Sequence, residues 1–428
     1  MVSAPPAPAS AAPHERRARL WQALWPLSSG PAELRALDGL RALAALSVIW
    51  FHAYLTLKVR PTLRGHEVAW IWLYGATGVH LFFVLSGFLL FLPYARALLH
   101  ARPLPAARRF YQRRALRILP AYWVCLFALA PLTLPNLLTP SGLGDIAAHL
   151  ALLHDDFYQY NKAIEGPFWT LAVEAQFYLL LPLCAAGIAV VVRQTRSLAR
   201  LVGGVAGVMA LALALRAADA FGQGHLAALH GATAAVVSAL LHATMGTQGK
   251  YLEVFAIGML ASVLYVAGTE QGRLSPTARR RIGLALLLAG LALAPLLARA
   301  VNAHDWGAPL WYTVDRPTNL LAIAGPWLIG LSYGGLVLGT LWAGGAARAL
   351  FAWRPLRFIG LVSYSLYLWH LPIITALAPL TTRLPGLWPL PAALAVGLCV
   401  AVPFAYMSYQ LVERPFLRRR RTLAERAG

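Results

Sequence analysis

The sequence has little charge and little cysteine for its length. Only 12% of its 428 residues are charged, and its three cysteines lie far apart in apolar runs, without the spacing of a metal or redox site. Apolar residues make up 59% of the chain, and the mean hydropathy is +0.60. One water-soluble core cannot bury so much hydrocarbon. The composition therefore excludes an ordinary soluble domain and predicts an all-α membrane protein without a metal site.

The excess of basic over acidic residues has a topological explanation. The 37 lysines and arginines against 16 acidic residues give a formal net charge of +21, which in a soluble protein would indicate a nucleic-acid partner. Here the basic residues form short clusters between long apolar runs, as they do where charge sets the orientation of a membrane protein. We therefore predict membrane lipid as the partner and no nucleic acid.

Ten apolar runs have the length of a membrane span, about 20 residues. They cover residues 37–57, 69–92, 118–138, 168–192, 201–217, 251–267, 282–299, 317–343, 358–379 and 389–411. An even number of spans puts both termini on the same side of the membrane. With the termini inside, 28 of the 37 lysines and arginines are cytoplasmic, so the positive-inside rule predicts cytoplasmic termini.

The predicted domain organisation is simple. Residues 1–35 are rich in alanine and proline and are predicted to be a disordered cytoplasmic extension, residues 36–418 the transmembrane domain, and residues 419–428 a basic cytoplasmic tail. The predicted outer loop 218–250 contains an apolar stretch, residues 226–243. That stretch is either an interfacial helix or a short additional span.

Ionisable side chains inside the predicted spans mark a site, because each costs about 2.5–3.5 kcal/mol at the bilayer centre. Arg41 and His52 are eleven residues apart on the first span, hence about 16 Å apart on nearly the same helix face. Glu174, on the fourth span, lies at a depth similar to that of His52. The pair suits general acid/base chemistry, in which a carboxylate orients an imidazole. The alternative is a buried pair that only holds two helices together.

The second span carries His80 near its middle and the dipeptide Ser86-Gly87. Ser86 is either a nucleophile or part of a notch of small residues where two helices approach closely. The surrounding sequence lacks the Gly-x-Ser-x-Gly pattern of a nucleophile elbow and so favours the notch.

The densest cationic segment, residues 108–117, comes just before the third span. Arginine side chains bind phosphate with two hydrogen bonds, so an anionic, nucleotide-like ligand is one interpretation of the segment. A topology signal that also contacts anionic lipid is the other.

Six strings, in this order along the chain, resemble the acyltransferase 3 family of polytopic membrane O-acyltransferases. They are LRALDGLRALAALSVIWFH, GVHLFFVLSGFLL, FYQRRALRILPAYW, EGPFWTLAVEAQFYLLLP, IGLVSYSLYLWHLPI and VERPF. Each string is weak by itself, whereas the six in sequence are specific. The resemblance extends from about residue 34 to 418.

The resemblance implies a set of site residues. The implied catalytic residues are Arg41, His52 and Glu174. The implied donor-binding residues are Arg113, Arg114, Arg117, Ser86, Phe82 and Phe83. The implied acceptor-binding or supporting residues are His80, Trp169, Tyr364, Tyr367 and His370. His80 departs from the family pattern, in which an aspartate is common at that place.

The resemblance also implies a function. An acyl group, acetyl above all, passes from cytoplasmic acyl-CoA, a co-substrate rather than a bound cofactor, to a hydroxyl of a carbohydrate or glycoconjugate at the outer face of the bacterial inner membrane. His52 acts as a general base or carries the acyl group covalently. The chain is expected to act alone or with a separate envelope-biosynthesis partner. The alternative from another class is a transporter or flippase of a lipid-linked sugar, against which stands the lack of repeats and of paired broken helices.

Overall fold

The computed structural model of the chain describes residues 32–57, 62–63, 66–67, 69–156, 164–192, 197–226, 231, 233, 236–237, 250–302, 320–382, 384 and 389–425. Most of the predicted extension 1–35 and most of the apolar stretch 226–243 lie outside these residues. The structural statements below concern the described residues.

The α-helices are, in chain order, α1 (Ala32–Leu57), α2 (Ala69–Leu73), α3 (Gly78–Leu99), α4 (Ala107–Thr133), α5 (Pro140–Leu150), α6 (Trp169–Val192), α7 (Leu198–Leu226), α8 (Leu252–Tyr265), α9 (Pro276–Asn302), α10 (Leu320–Trp342), α11 (Gly345–Phe351), α12 (Arg354–Leu377), α13 (Pro389–Ser408) and α14 (Arg414–Glu425). Short 3-10 helices cover Tyr74–Thr77, His154–Asp156, Gly166–Phe168 and Ala378–Leu380. Single π-helical turns cover Val266–Glu270 and Tyr409–Glu413. Two short strands, β1 (Thr62–Leu63) and β2 (His66–Glu67), pair antiparallel.

Ten helical stretches of the described chain are long and apolar enough to cross a membrane, which confirms the predicted number. The helix is the expected form, because backbone N–H and C=O groups find no water in hydrocarbon and must bond within their own segment. The all-α class is thereby confirmed. The cytoplasmic position of both termini stays a prediction.

Helix α1 holds a central place because it carries both Arg41 and His52 and packs against α3 and α12. Its closest approach to α12 is at Gly360, where an added Cβ atom would lie 1.9 Å from the backbone oxygen of Asp38. Only glycine permits this contact. The approach brings the row of polar residues on α12 next to those on α1.

A second close approach joins α3 and α8. A Cβ atom added to Gly87 would lie 2.1 Å from the backbone oxygen of Phe255, and one added to Gly258 would lie 2.1 Å from that of Val84. Small residues on both helices therefore let the two backbones meet. The interpretation of Gly87 as part of a packing notch is confirmed.

The segment between the third and fourth spans buries a group of ionisable side chains. The rings of His149 and His154 stack with centroids 4.1 Å apart and are both fully buried. Burial lowers the pKa of His149 to about 4 and that of His154 to about 3. Burial raises the pKa of Glu165 to about 8. At neutral pH the two histidines are uncharged and Glu165 is largely protonated, so this segment carries less charge than its sequence suggests.

The glycine notch gives a stability prediction. We expect Gly87→Ala to destabilise the protein by about 1–3 kcal/mol, because the added methyl group has no room against α8. Gly203→Ala is the matched control, since a Cβ atom at Gly203 meets nothing within 4 Å. It should change stability by no more than about 0.5 kcal/mol, or raise it through better helix propensity. Thermal unfolding in detergent measures both, and equal transition temperatures would contradict the packing.

The buried histidines and Glu165 give a pH prediction. Below pH 6.5 the unfolded chain protonates both histidines while the fold does not, so their contribution to stability falls as the pH decreases towards about 4. The unfolded chain also releases the Glu165 proton from about pH 4.5 upward, whereas the fold keeps it to about pH 8, so that contribution falls as the pH increases.

Two variants separate these opposite trends. Relative to the unaltered chain, Glu165→Gln should reduce the loss of transition temperature between about pH 6.5 and 8, and His154→Gln should reduce the loss below about pH 6.5. Each variant is the control for the other. Parallel pH profiles for all three proteins would contradict the assigned protonation states.

Candidate functional site

Two cavities lie among the spans that carry the predicted site residues. We call the first, of about 100 Å³, the arginine cavity, and its lining includes Arg41, Arg114, Arg117 and Glu174. We call the second, of about 220 Å³, the histidine cavity, and its lining includes His52, His80, Trp169 and Tyr251. Val79 and Tyr367 line both cavities, so the two spaces meet at these side chains.

Glu174 belongs to the arginine cavity and bonds to α3. The Ser86 hydroxyl donates a 2.6 Å hydrogen bond to Oε1 of Glu174. This contact gives Ser86 a role in binding a carboxylate across two helices. The structure thus joins two of the predicted residues in a contact that the sequence did not predict.

Arg117 is already engaged by a carboxylate. Its Nη1 atom lies 2.6 Å from Oε2 of Glu413, whose other oxygen accepts a 2.6 Å hydrogen bond from Ser365. Glu413 is 2% exposed and ends the π-helical turn that follows α13, a local form common at functional sites. Since the Arg117 charge is largely neutralised by this partner, its first role is to hold α4 against α12 and the end of α13.

Arg114 has a different environment. Its guanidinium lies 5.9 Å from the ring centre of Phe110 and 6.0 Å from that of Tyr178, both within the range of a cation–π contact. Its Nε atom is buried and has no hydrogen-bond partner among the described residues. Arg114 therefore lines the arginine cavity without an ion-pair partner among the described residues, so its guanidinium can contact an anion there.

His52 bonds to another histidine. Its Nδ1 atom lies 2.9 Å from Nε2 of His370, and Nδ1 of His370 lies 2.7 Å from the backbone oxygen of Tyr367. A carbonyl oxygen only accepts, so Nδ1 of His370 carries a proton, and in a neutral ring its Nε2 atom must then accept from Nδ1–H of His52. In a neutral His52 ring, Nε2 is therefore the unprotonated nitrogen, whose lone pair can take up a proton.

The prediction that Glu174 orients the imidazole of His52 is wrong. His370 provides the hydrogen bond that orients the imidazole, and Glu174 lines the other cavity and accepts from Ser86. Similar depth on two helices is not enough to predict a contact, because the direction of each side chain around its helix decides which residues meet.

Tyr367 stands where the two cavities join. Its hydroxyl lies 2.7 Å from the hydroxyl of Thr170 and donates to the backbone oxygen of Pro167 at 3.1 Å. Its ring lies edge-on to Phe82 at 5.9 Å and tilted to His370 at 5.6 Å. These contacts tie the junction between the cavities to the start of α6.

The remaining predicted residues divide between the two cavities. Those that line the arginine cavity are Phe82, Phe83, Ser86 and Tyr364. Those that line the histidine cavity are His80 and Trp169. Arg113 is exposed and belongs to the lining of neither cavity. His370 is fully buried behind His52.

Sequence reasoning missed two residues of the site. Glu413 was visible as a carboxylate in an apolar run, and the cost of burying it signalled a cationic partner. Tyr251 gave no such signal, because its importance depends on a backbone conformation and on neighbours from other helices. It lines the histidine cavity and is 1% exposed.

The chain is similar in sequence to known bacterial proteins. A relative from Listeria monocytogenes named a peptidoglycan O-acetyltransferase is 26% identical over 409 residues, and the alignment covers 89% of this chain and 55% of the relative. A relative from Bacillus subtilis is 26% identical over 417 residues, and the alignment covers 89% of this chain and 54% of the relative. Nodulation protein 10 of Rhizobium leguminosarum is 31% identical over 166 residues, and the alignment covers 34% of this chain and 42% of that protein.

The chain thus spans about half the length of the first two relatives. No solved structure matches it significantly. The family model described as an acyltransferase domain matches residues 34–409, which include the lining of both cavities and the pair of His52 and His370. With that match over most of its length, the chain belongs to the acyltransferase 3 family.

Proposed function

We propose that this protein is a membrane O-acetyltransferase that moves an acetyl group from acetyl-CoA to a hydroxyl of a carbohydrate of the cell envelope. The observation that carries the proposal is the hydrogen-bonded pair of His52 and His370, which leaves the lone pair of His52 on Nε2, in a cavity that meets the arginine cavity at Tyr367. Family membership and relatives named as O-acetyltransferases support it.

The arginine cavity is the proposed donor site. Acetyl-CoA carries phosphates, which the guanidinium groups of Arg114 and of Arg41 on α1 suit, since both line this cavity. The basic segment 108–117 precedes the span that holds Arg114, and the positive-inside rule puts it in the cytoplasm, where acetyl-CoA is found. The pantetheine arm then runs past Phe82 and Tyr367 towards His52.

The histidine cavity is the proposed acceptor and reaction site. Nε2 of His52 takes the proton of the acceptor hydroxyl while the oxygen of that hydroxyl attacks the thioester carbonyl carbon. The tetrahedral intermediate collapses, the C–S bond breaks, and the thiolate of coenzyme A leaves and takes up the proton from the imidazolium. His370 stabilises that imidazolium, because its Nε2 atom accepts from Nδ1–H of His52.

The same lone pair also allows a covalent acetyl-His52 intermediate. Direct transfer is the simpler mechanism, and a rapid-mixing experiment with labelled acetyl-CoA distinguishes it from the covalent one. In direct transfer, labelled acetyl-CoA without acceptor leaves no label on the denatured protein. In the covalent course, label appears on the protein with a burst of coenzyme A and is absent from His52→Ala.

The setting follows from the relatives. They come from bacteria, and the relative from Listeria is named for peptidoglycan, so we propose a multi-pass protein of the bacterial inner membrane with a β-linked amino-sugar polymer as acceptor. A separate envelope-biosynthesis partner is also part of the proposal.

The histidine pair gives the first activity prediction. His52→Ala should lower kcat for acetyl transfer by about 10²–10⁴-fold, the usual contribution of a general base. His370→Ala should lower kcat by about tenfold through loss of one orienting hydrogen bond, and His370→Gln should recover part of it because an amide oxygen accepts the same bond. Release of coenzyme A from acetyl-CoA and product mass spectrometry measure both.

The control for these variants is His100→Ala, which removes an exposed imidazole at the end of α3, outside both cavities. It should retain full activity. Full activity of His52→Ala, with a normal transition temperature, would contradict the proposed chemistry.

The two arginines give the second activity prediction, because their partners differ. Arg114→Ala should raise the KM for acetyl-CoA by about tenfold or more and leave thermal stability unchanged. Arg117→Ala should cost about 3–5 kcal/mol of stability, since it leaves Glu413 buried without its partner. Glu413→Gln in the Arg117→Ala background should restore much of that stability. Equal transition temperatures for the two single variants would contradict the distinction.

A further inference from the structure

Tyr251 has a backbone conformation that residues with side chains rarely adopt. Its φ of 52° and ψ of 23° lie in the left-handed region, at the residue that precedes α8. Non-glycine residues held there cost about 1–3 kcal/mol and concentrate at active sites and ligand clamps. An asparagine or a glycine would adopt the conformation at lower cost, so the aromatic side chain needs a separate explanation.

Two buried ion pairs fix this conformation from both sides. Lys250, the preceding residue, is paired with Asp156, whose second oxygen accepts a 2.7 Å hydrogen bond from Gln176 on α6. Glu253, on the first turn of α8, accepts a 2.6 Å ion-pair contact from Arg216 on α7. The chain around Tyr251 is therefore anchored to two other spans.

The same neighbours orient the Tyr251 ring. The Arg216 guanidinium lies 4.8 Å from the ring centre, a cation–π distance. On the cavity side, His80 meets the ring edge-on at 5.5 Å and Trp169 lies 5.7 Å away at 39°. Trp169 and Tyr251 thus form an aromatic wall of the histidine cavity, the space that also contains His52.

An aromatic wall with polar groups at its edge suits one class of ligand. Each face of a sugar ring presents C–H groups, which pack on aromatic faces, while its hydroxyls point outward to hydrogen-bond partners. Tyrosine and tryptophan combine an apolar ring with a polar atom and lose little entropy on binding. An acetyl group alone is too small to require such a wall.

We propose that Tyr251 is an acceptor-binding residue: with Trp169 it holds a ring of the carbohydrate and so presents a hydroxyl to His52. This inference rests on the proposed function and deepens it by naming the surface that selects the acceptor. The strained backbone and the two ion pairs serve to keep the ring in that place when the cavity is open.

The test uses the full chain in detergent with acetyl-CoA and, as acceptor probe, a soluble β-1,4-linked tetramer of N-acetylglucosamine. Tyr251→Leu should raise the KM for the tetramer about three- to tenfold, the range for loss of one aromatic contact. The KM for acetyl-CoA should stay within twofold, because the proposed donor site is the other cavity, whose lining does not include Tyr251. Tyr251→Phe keeps the ring and should stay near the unaltered protein.

Tyr265→Leu is the matched control, because it removes a buried tyrosine from the other end of α8, where the ring packs on Phe88 at 5.8 Å, outside both cavities. It should lower the transition temperature and leave the KM for the tetramer unchanged. Since Tyr251→Leu can also reduce stability, binding of the tetramer to folded protein is measured in parallel, as the thermal stabilisation it confers.

The outcomes separate the two proposals. Loss of tetramer binding in Tyr251→Leu, with donor kinetics intact, supports the inference. An unchanged KM for the tetramer, or a rise in the KM for acetyl-CoA instead, overturns it while acetyl transfer stands. Failure of the unaltered protein to bind the tetramer also overturns it. Failure of the unaltered protein to release coenzyme A from acetyl-CoA is different, since it rejects the proposed function itself.

Discussion

Hydrocarbon gives a buried charge no water, so an ionisable group inside a span is stabilised by a partner of opposite charge on another helix, and two such pairs organise much of the interior of the protein. Arg117 with Glu413 joins α4 to the end of α13, and Arg216 with Glu253 joins α7 to α8. Each pair costs desolvation, and the pair is tolerated because both members are satisfied at once. The pairs therefore determine which spans lie side by side, and the cavities are the spaces left between them.

The chemistry depends on a gradient of polarity across those cavities. The lining of the arginine cavity includes three arginines, whereas that of the histidine cavity is rich in aromatic side chains and includes the imidazoles of His52 and His80. Tyr367, bonded to Thr170 and Pro167, stands between them. In the proposed function, the acyl arm passes this side chain while the charged part of the donor stays in the arginine cavity.

Close helix contacts make this arrangement rigid enough for catalysis. Gly360 allows α12 to reach the backbone of α1, and Gly87 allows α3 to reach α8. The first contact supports the 2.9 Å hydrogen bond between His52 and His370, and the second fixes α3, which carries His80 and Ser86. Small residues where two helices cross thus help to position larger polar residues several turns away on the same helices. Reacting groups need such positioning to a fraction of an ångström.

The sequence by itself determined the ten spans, the all-α class and the family, because length, hydropathy and ordered motifs are properties of local sequence. It also identified Arg41 and His52, since an ionisable residue in an apolar run is conspicuous without any structure. Only the tertiary structure decided that His370 rather than Glu174 orients His52, that Glu413 neutralises Arg117, and that Tyr251 enters the site. Helical periodicity gives the face and depth of a residue on its own helix, whereas contacts between helices depend on how each helix is rotated and on which small residues let backbones approach.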